Sequence, residues 1–134
     1  MSTDNTQEKA LNKTDCRYGN YIIYGDSVTQ LNEKEMTHFF RFPETYKPIP
    51  LTEEWLLKFR FKEIVFTQDR NREWFKMFEI EETDELFSLC FYPEKNICYL
   101  NFDVGYGNNI LNIEFVHKLQ NLYFALTGRE LTVA

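Results

Sequence analysis

No stretch of the chain reaches about 18 consecutive apolar residues, so no segment is suited to cross a bilayer as a helix. Cysteine is scarce and odd in number. Cys16, Cys90 and Cys98 share no short paired spacing, which excludes a disulfide framework and a Cys-x-x-Cys metal knuckle. Free thiols in a reducing cytoplasm are the expected state. Glycine and proline are few, at 5 and 4 residues, which excludes a collagenous chain. Positive charge is in deficit: 15 Lys and Arg stand against 21 Asp and Glu, a net charge of −6. That balance disfavours a nucleic-acid module, because Lys and Arg must dominate one face to release counterions from phosphate. The candidate basic clusters, Lys58, Arg60, Lys62 and Arg70, Arg72, Lys76, are interleaved with carboxylates and read as solvated charge.

Aromatic mass is abundant instead: 13 Phe, 8 Tyr and 2 Trp in 134 residues, enough for a bulky core in one small domain. It is unevenly placed. Residues 1–15 contain only Met1, Ala10 and Leu11 as apolar members, with no secretory h-region, and read as a mobile tail. A single domain is expected over residues 16–134.

The order of elements follows from local signals. Residues 20–31, with Gly25-Asp26 at the centre, read as a β-hairpin. Asn32 stands three residues before Glu35 and predicts a helix start, with helix over about 33–40 and Pro43 ending it. Pro48-Ile49-Pro50 is stiff and extended. Thr52 caps a second helix from Glu53 to about Phe59. Its first turn is acidic, and Leu51 and Leu56 have the spacing of a hydrophobic staple. Strands are then expected over 61–66, 74–80, 86–92 and 97–104, joined by short polar turns, which predicts an antiparallel meander. Phe87, Leu89 and Phe91 alternate in one strand, and Cys98, Leu100 and Phe102 in the next. Placing both sets on one face pairs Phe91 with Cys98, Leu89 with Leu100 and Phe87 with Phe102, and puts Cys90 on the opposite face from Cys98. A final helix follows, with Asn112 as its expected cap, an apolar stripe through Leu119 and Leu126, and Gly128 as a left-handed stop. The fold class is therefore α+β: a meander of about four strands packed by a C-terminal helix, beside an N-terminal hairpin and two short helices.

Two longer runs carry a resemblance. Residues 47–59, Lys-Pro-Ile-Pro-Leu-Thr-Glu-Glu-Trp-Leu-Leu-Lys-Phe, and residues 116–128, Val-His-Lys-Leu-Gln-Asn-Leu-Tyr-Phe-Ala-Leu-Thr-Gly, resemble motifs of small uncharacterised proteins found in Bacteroidota and in their phages and prophages. The opening at Arg17 to Tyr21 is similar to their first strand. The resemblance implies a shared fold and a bacterial or phage setting, and it brings no activity and no site residues. One departure is visible. Where that pattern usually has Gly after the Lys-Phe pair, this chain has Arg60, and a Gly there relaxes the exit from the helix.

Chemistry-bearing residues are few. His117 sits in a largely apolar helix, and a role as general base requires a nucleophile and an orienting partner that the sequence does not place beside it. Gln120 is one helical turn further on and Asn121 follows, so His117, Gln120 and Asn121, together with Tyr106 in the Gly105-Tyr106-Gly107 loop, are the candidate partner-binding residues. The alternative for Gln120 and Asn121 is to hydrogen-bond the edge of the sheet that the helix covers. The acidic run Glu79, Glu81, Glu82, Asp84, Glu85 lacks the glycine and ligand alternation of a calcium loop, and the Gly-Tyr-Gly loop lacks the Lys-Ser/Thr of a phosphate cradle, so no metal and no cofactor is expected. The sequence favours a non-enzymatic, cytoplasmic interaction protein with a protein partner, accessory to a phage or mobile element. The alternatives are a nucleic-acid or nucleotide binder that stacks bases on exposed aromatics, a small enzyme using His117, and a virion component.

Overall fold

The computed structural model describes residues 11–64, 76–80, 87–94, 97–100 and 112–133. The fold is α+β with two antiparallel sheets. The first contains β1 (Tyr21–Tyr24), β2 (Ser27–Gln30) and β3 (Tyr46–Lys47) in the order β2-β1-β3. The second is a meander of β4 (Lys62–Ile64), β5 (Lys76–Ile80), β6 (Phe87–Tyr92) and β7 (Ile97–Leu100) in sequence order. Helix α1 is Glu33–Arg41, α2 is Glu53–Lys58 and α3 is Val116–Thr127.

The helix starts follow their side chains. Asn32 accepts from the Glu35 N–H, and Thr52 from the Trp55 N–H, so both expected caps are in place. The exit of α2 is a Schellman motif. The Arg60 N–H donates to the Leu57 carbonyl and the Phe61 N–H to the Leu56 carbonyl, both at 3.0 Å. This geometry requires a left-handed residue, and Arg60 supplies it at φ +77°. At the end of α3 the same conformation falls on Gly128, at φ +76°.

The start of α3 corrects the sequence reading. Asn112 is not its cap. The residue before the helix is Phe115, whose side chain makes no capping bond. Backbone pairing takes over: Val116 N–H donates to Ile49 O at 2.8 Å, and Leu51 N–H to Glu114 O at 3.0 Å. The extended Pro48-Ile49-Pro50 segment thus satisfies a helix terminus from across the fold. Asn112 bridges Tyr99, and the Ile113 N–H donates to Cys98 O, so residues 112–113 cover the free edge of β7.

The meander has the expected register: Leu89 opposite Leu100, Cys90 opposite Tyr99, and Phe91 opposite Cys98. The pairing of Phe87 with Phe102 lies outside the described residues. Phe78, Ile80, Phe87, Leu89, Phe91, Cys98 and Leu100 join the main core, with Trp55, Leu56, Phe59 and Phe61 around α2 and Val116, Leu119 and Tyr123 from α3. Cys98 belongs to this core and Cys90 does not, and all three cysteines are free. The outward face of β6 is drier than alternation predicts, with Ser88 and Cys90 also buried. Cys90 is small and lies between the longer Met77 and Tyr99 on its two neighbouring strands.

A second, smaller core holds Leu11, Cys16, Ile22, Leu31, Phe39 and Tyr46. Strand β1 is the wall between the two cores. Its period of 2 sends Ile22 into the small core, while Tyr21 and Ile23 pack against the main one. Residues 11–15 therefore do not belong to a tail. Leu11 is buried, and Lys13–Asp15 form a 3-10 turn capped by Asn12. Leu126 also departs from expectation, at 52% exposed. Residues 124–126 are exposed throughout, so the buried stripe of α3 ends at Tyr123.

Candidate binding site

The polar face of α3 turns inward. Gln120 is 1% exposed. Its Oε1 accepts from the Tyr21 N–H at 2.8 Å, and its Nε2 donates to Gly19 O at 3.0 Å. Asn121 donates to Asp15 O at 2.8 Å and accepts from the Asn20 side chain at 2.9 Å. Two ion pairs, Lys118 with Asp15 at 3.2 Å and Arg17 with Glu130 at 2.6 Å, strap the same segment down. The Arg17 guanidinium also lies 4.4 Å from the Phe124 ring centroid. What this helix face binds is the chain's own entry into β1. The expectation of a partner-binding surface at Gln120 and Asn121 is corrected accordingly: their amides satisfy backbone groups that the helix would otherwise bury unpaired.

His117 is buried too, at 1% exposed. Its ring stacks on Phe115 at 6.0 Å, and neither ring nitrogen has a hydrogen-bond partner among the described residues. Burial pushes its pKa down to about 4, with Lys118 adding to the fall and Asp15 opposing it. A ring buried this far presents no surface to a partner, which corrects the expectation for His117. Tyr106 lies outside the described residues, as do the Gly-Tyr-Gly loop and most of the acidic run. Among the described residues no three His, Cys, Asp or Glu side chains converge on a metal position. Of the candidate basic residues, Lys58 folds over the Trp55 ring at 4.6 Å, and Lys76 pairs with Glu53 at 2.9 Å.

The structure assembles polar and aromatic groups elsewhere, where α1 meets the end of the first sheet. Tyr24 and Tyr46 are cross-strand partners, and their rings lie 4.9 Å apart. The His38 ring meets Tyr24 edge-on at 5.4 Å and Phe42 at 5.1 Å. Its Nδ1 is 2.7 Å from the Tyr46 hydroxyl. Burial first, then the proximity of Tyr24 and Glu35, raises the pKa of Tyr46, so its hydroxyl keeps its proton and can donate to His38. Tyr24, His38 and Tyr46, with Thr29, Lys34 and Glu35, line an open pocket of about 310 Å³. Glu35 Oε1 is buried and has no hydrogen-bond partner among the described residues. Among the described residues no hydrogen bond joins the Thr29 hydroxyl to His38, whose Nδ1 is taken by Tyr46.

Sequence reasoning missed this site because it depends on β3. That strand has only two residues, yet it sets Tyr46 beside Tyr24. The available signals were local: the i,i+3 spacing of Glu35 and His38 on α1, and Tyr24 two residues after the buried Ile22. No family model, no curated protein and no solved structure matches the chain. No described helix is long and apolar enough to cross a membrane.

Proposed function

We propose that this protein works by binding a protein partner, through the aromatic face formed by Tyr24, His38, Phe42 and Tyr46. The observation that carries this reading is the contiguity of those four rings together with the exposure of the outer two, Tyr24 at 44% and Phe42 at 43%. Exposed aromatics on an ordered scaffold offer large contact area for little lost side-chain entropy, and aromatic residues are enriched at interface centres. A non-catalytic role suits a pocket in which the hydroxyl bonded to His38 belongs to Tyr46, a phenol that is buried and held protonated. The three free, buried thiols suit a reducing cytoplasm. The setting implied by the resemblance makes the protein an accessory factor of a phage or mobile element.

Affinity capture from the native host, with mass spectrometry of what is retained, tests the reading when the wild-type chain is compared with the Tyr24→Ser, Phe42→Ser double variant. The expected result is a protein retained by the wild type and lost with the folded double variant. Retention unaffected by the two substitutions, or retention of nucleic acid in place of protein, would overturn it.

A further inference from the structure

We propose that the pocket between α1 and the end of β1 is a binding site for an organic cation, an ammonium group on a short carbon stem. The inference rests on the binding reading above and names the chemistry of what is bound. Glu35 supplies the charge. Glu35 is half-buried, lines the pocket and pairs with no Lys or Arg among the described residues, so its charge faces a cation that enters. Tyr24 and His38 supply ring surface around the same space, with the buried Tyr46 behind them, and electron-rich faces attract ammonium groups. The Tyr46 hydroxyl is engaged with His38.

A metal ion fits the site poorly. Hard cations such as calcium demand about six to eight oxygen ligands, and this lining offers one carboxylate, a threonine and two phenols. Volume narrows the choice further. About 310 Å³ lies at the lower end of small-molecule pockets, which suits one ammonium head with a few carbons. Lys34 also lines the pocket, but no ion pair joins it to Glu35 among the described residues, and its side chain is exposed. It stands at the rim as a like charge that weakens binding without filling the role. The net charge of −6 adds a general attraction for cations.

NMR titration of the full chain with n-butylammonium and tetramethylammonium, against neutral tert-butanol, tests the site. Both cations should shift the ring resonances of Tyr24 and His38 in a saturable way, and tert-butanol should not. Glu35→Gln should weaken cation binding about tenfold, the loss of one charge-assisted contact. Lys34→Gln should strengthen it about threefold, the removal of one exposed like charge. A second arm compares a capped Gly-Lys-Gly peptide with n-butylammonium. Tighter peptide binding assigns the cation to a partner's lysine, and tighter amine binding assigns it to a free small molecule. Equal shifts with tert-butanol, no saturable shift with either cation, or Glu35→Gln binding like the wild type would overturn the proposal. If Glu35→Gln fails to fold, the wild-type comparison with tert-butanol and the Lys34→Gln variant still decide. Cation binding without any retained protein would sink the protein-partner reading alone. Retained protein without cation binding would sink only the inference about the pocket.

Discussion

The two cores of this molecule are built on different terms. The main core is fed by a four-strand meander and two helices, and one face of that sheet is closed almost entirely by hydrocarbon. The small core has six buried members, and its sheet ends in a two-residue strand. Where burial is plentiful, polar groups either serve structure, as Gln120 does, or are carried at a cost, as His117 is. Where burial is thin, rings stay half open to water, and the polar groups beside them are reachable. The candidate site lies at the edge of the poorer core. Partly open, weakly covered regions are where binding surfaces are affordable.

The largest effect tests whether the cores are separable. Strand β1 faces both, so the small core should not melt alone. Phe39→Ala should cost roughly 3–5 kcal/mol and leave a single unfolding transition. Leu119→Ala, in the main core, should cost about 2–5 kcal/mol with the same single transition. Two resolved transitions by calorimetry in the Phe39 variant would show that β1 does not couple the two halves. Leu126→Ala should be nearly silent, within about 0.5 kcal/mol, since that side chain is exposed.

A somewhat smaller effect comes from acid, and it belongs to the main core. His117 is held neutral when folded, with its pKa lowered to about 4 from the ordinary 6.5. Below 6.5 the unfolded chain binds a proton that the folded chain refuses, so stability falls as pH drops from 6.5 towards 4 and is unaffected above that window. The full gap corresponds to about 3 kcal/mol. Carboxylates titrate in the same range, so the quantity to measure is the difference between the wild type and His117→Leu in urea unfolding at pH 7 and pH 4.5. The variant should lose less stability on acidification. Equal slopes would mean that the imidazole finds a proton acceptor or solvent when folded.

The strap between α3 and β1 comes next. Gln120→Ala removes bonds to Tyr21 N–H and Gly19 O; Gly19 O keeps a bond from the Gln30 side chain, and the Tyr21 N–H is left beside a buried void. A loss of about 2–3 kcal/mol is expected, with faster amide exchange at Tyr21. Unchanged exchange at Tyr21 would show that the strand is held by its β2 and β3 partners alone.

How much of this was legible depended on the range of the interactions. The caps at Asn32 and Thr52 act over three residues, and both were readable. The Phe91–Cys98 register was readable because two alternating apolar sets around a short turn admit one pairing that puts both on the same face. The α3 start was not. A side-chain cap at Asn112 is a local option, and it lost to backbone pairing with Ile49 and Leu51, more than sixty residues away in sequence. The pocket was hidden for the same reason. All six of its lining residues fall between Tyr24 and Tyr46, but the β1–β3 pairing that brings those two tyrosines together rests on only two residue pairs and has no alternation to announce it. The Gln120 and Asn121 contacts were legible in kind, as bonds from a helix to a covered edge, and not in which edge.

The smallest predicted effect sits at Arg60. It is the non-glycine residue with positive φ among those described, and the resemblance would place a glycine there. A side chain in the left-handed region costs roughly 1–2 kcal/mol. Glycine removes that cost but adds about 0.4–1 kcal/mol of freedom to the unfolded chain, so Arg60→Gly should stabilise by about 0.5–1 kcal/mol. Arg60→Ala is the control, because it deletes the same side chain and keeps the Cβ that causes the strain. Any contact of the Arg60 side chain is lost equally in both variants, so their difference isolates the backbone. Glycine should exceed alanine by about 0.5–1 kcal/mol in urea unfolding, with the Schellman bonds from Arg60 and Phe61 kept in both. If alanine matches glycine, the helix exit holds no strain, and the departure at this position has no energetic consequence for the main core that it leads into.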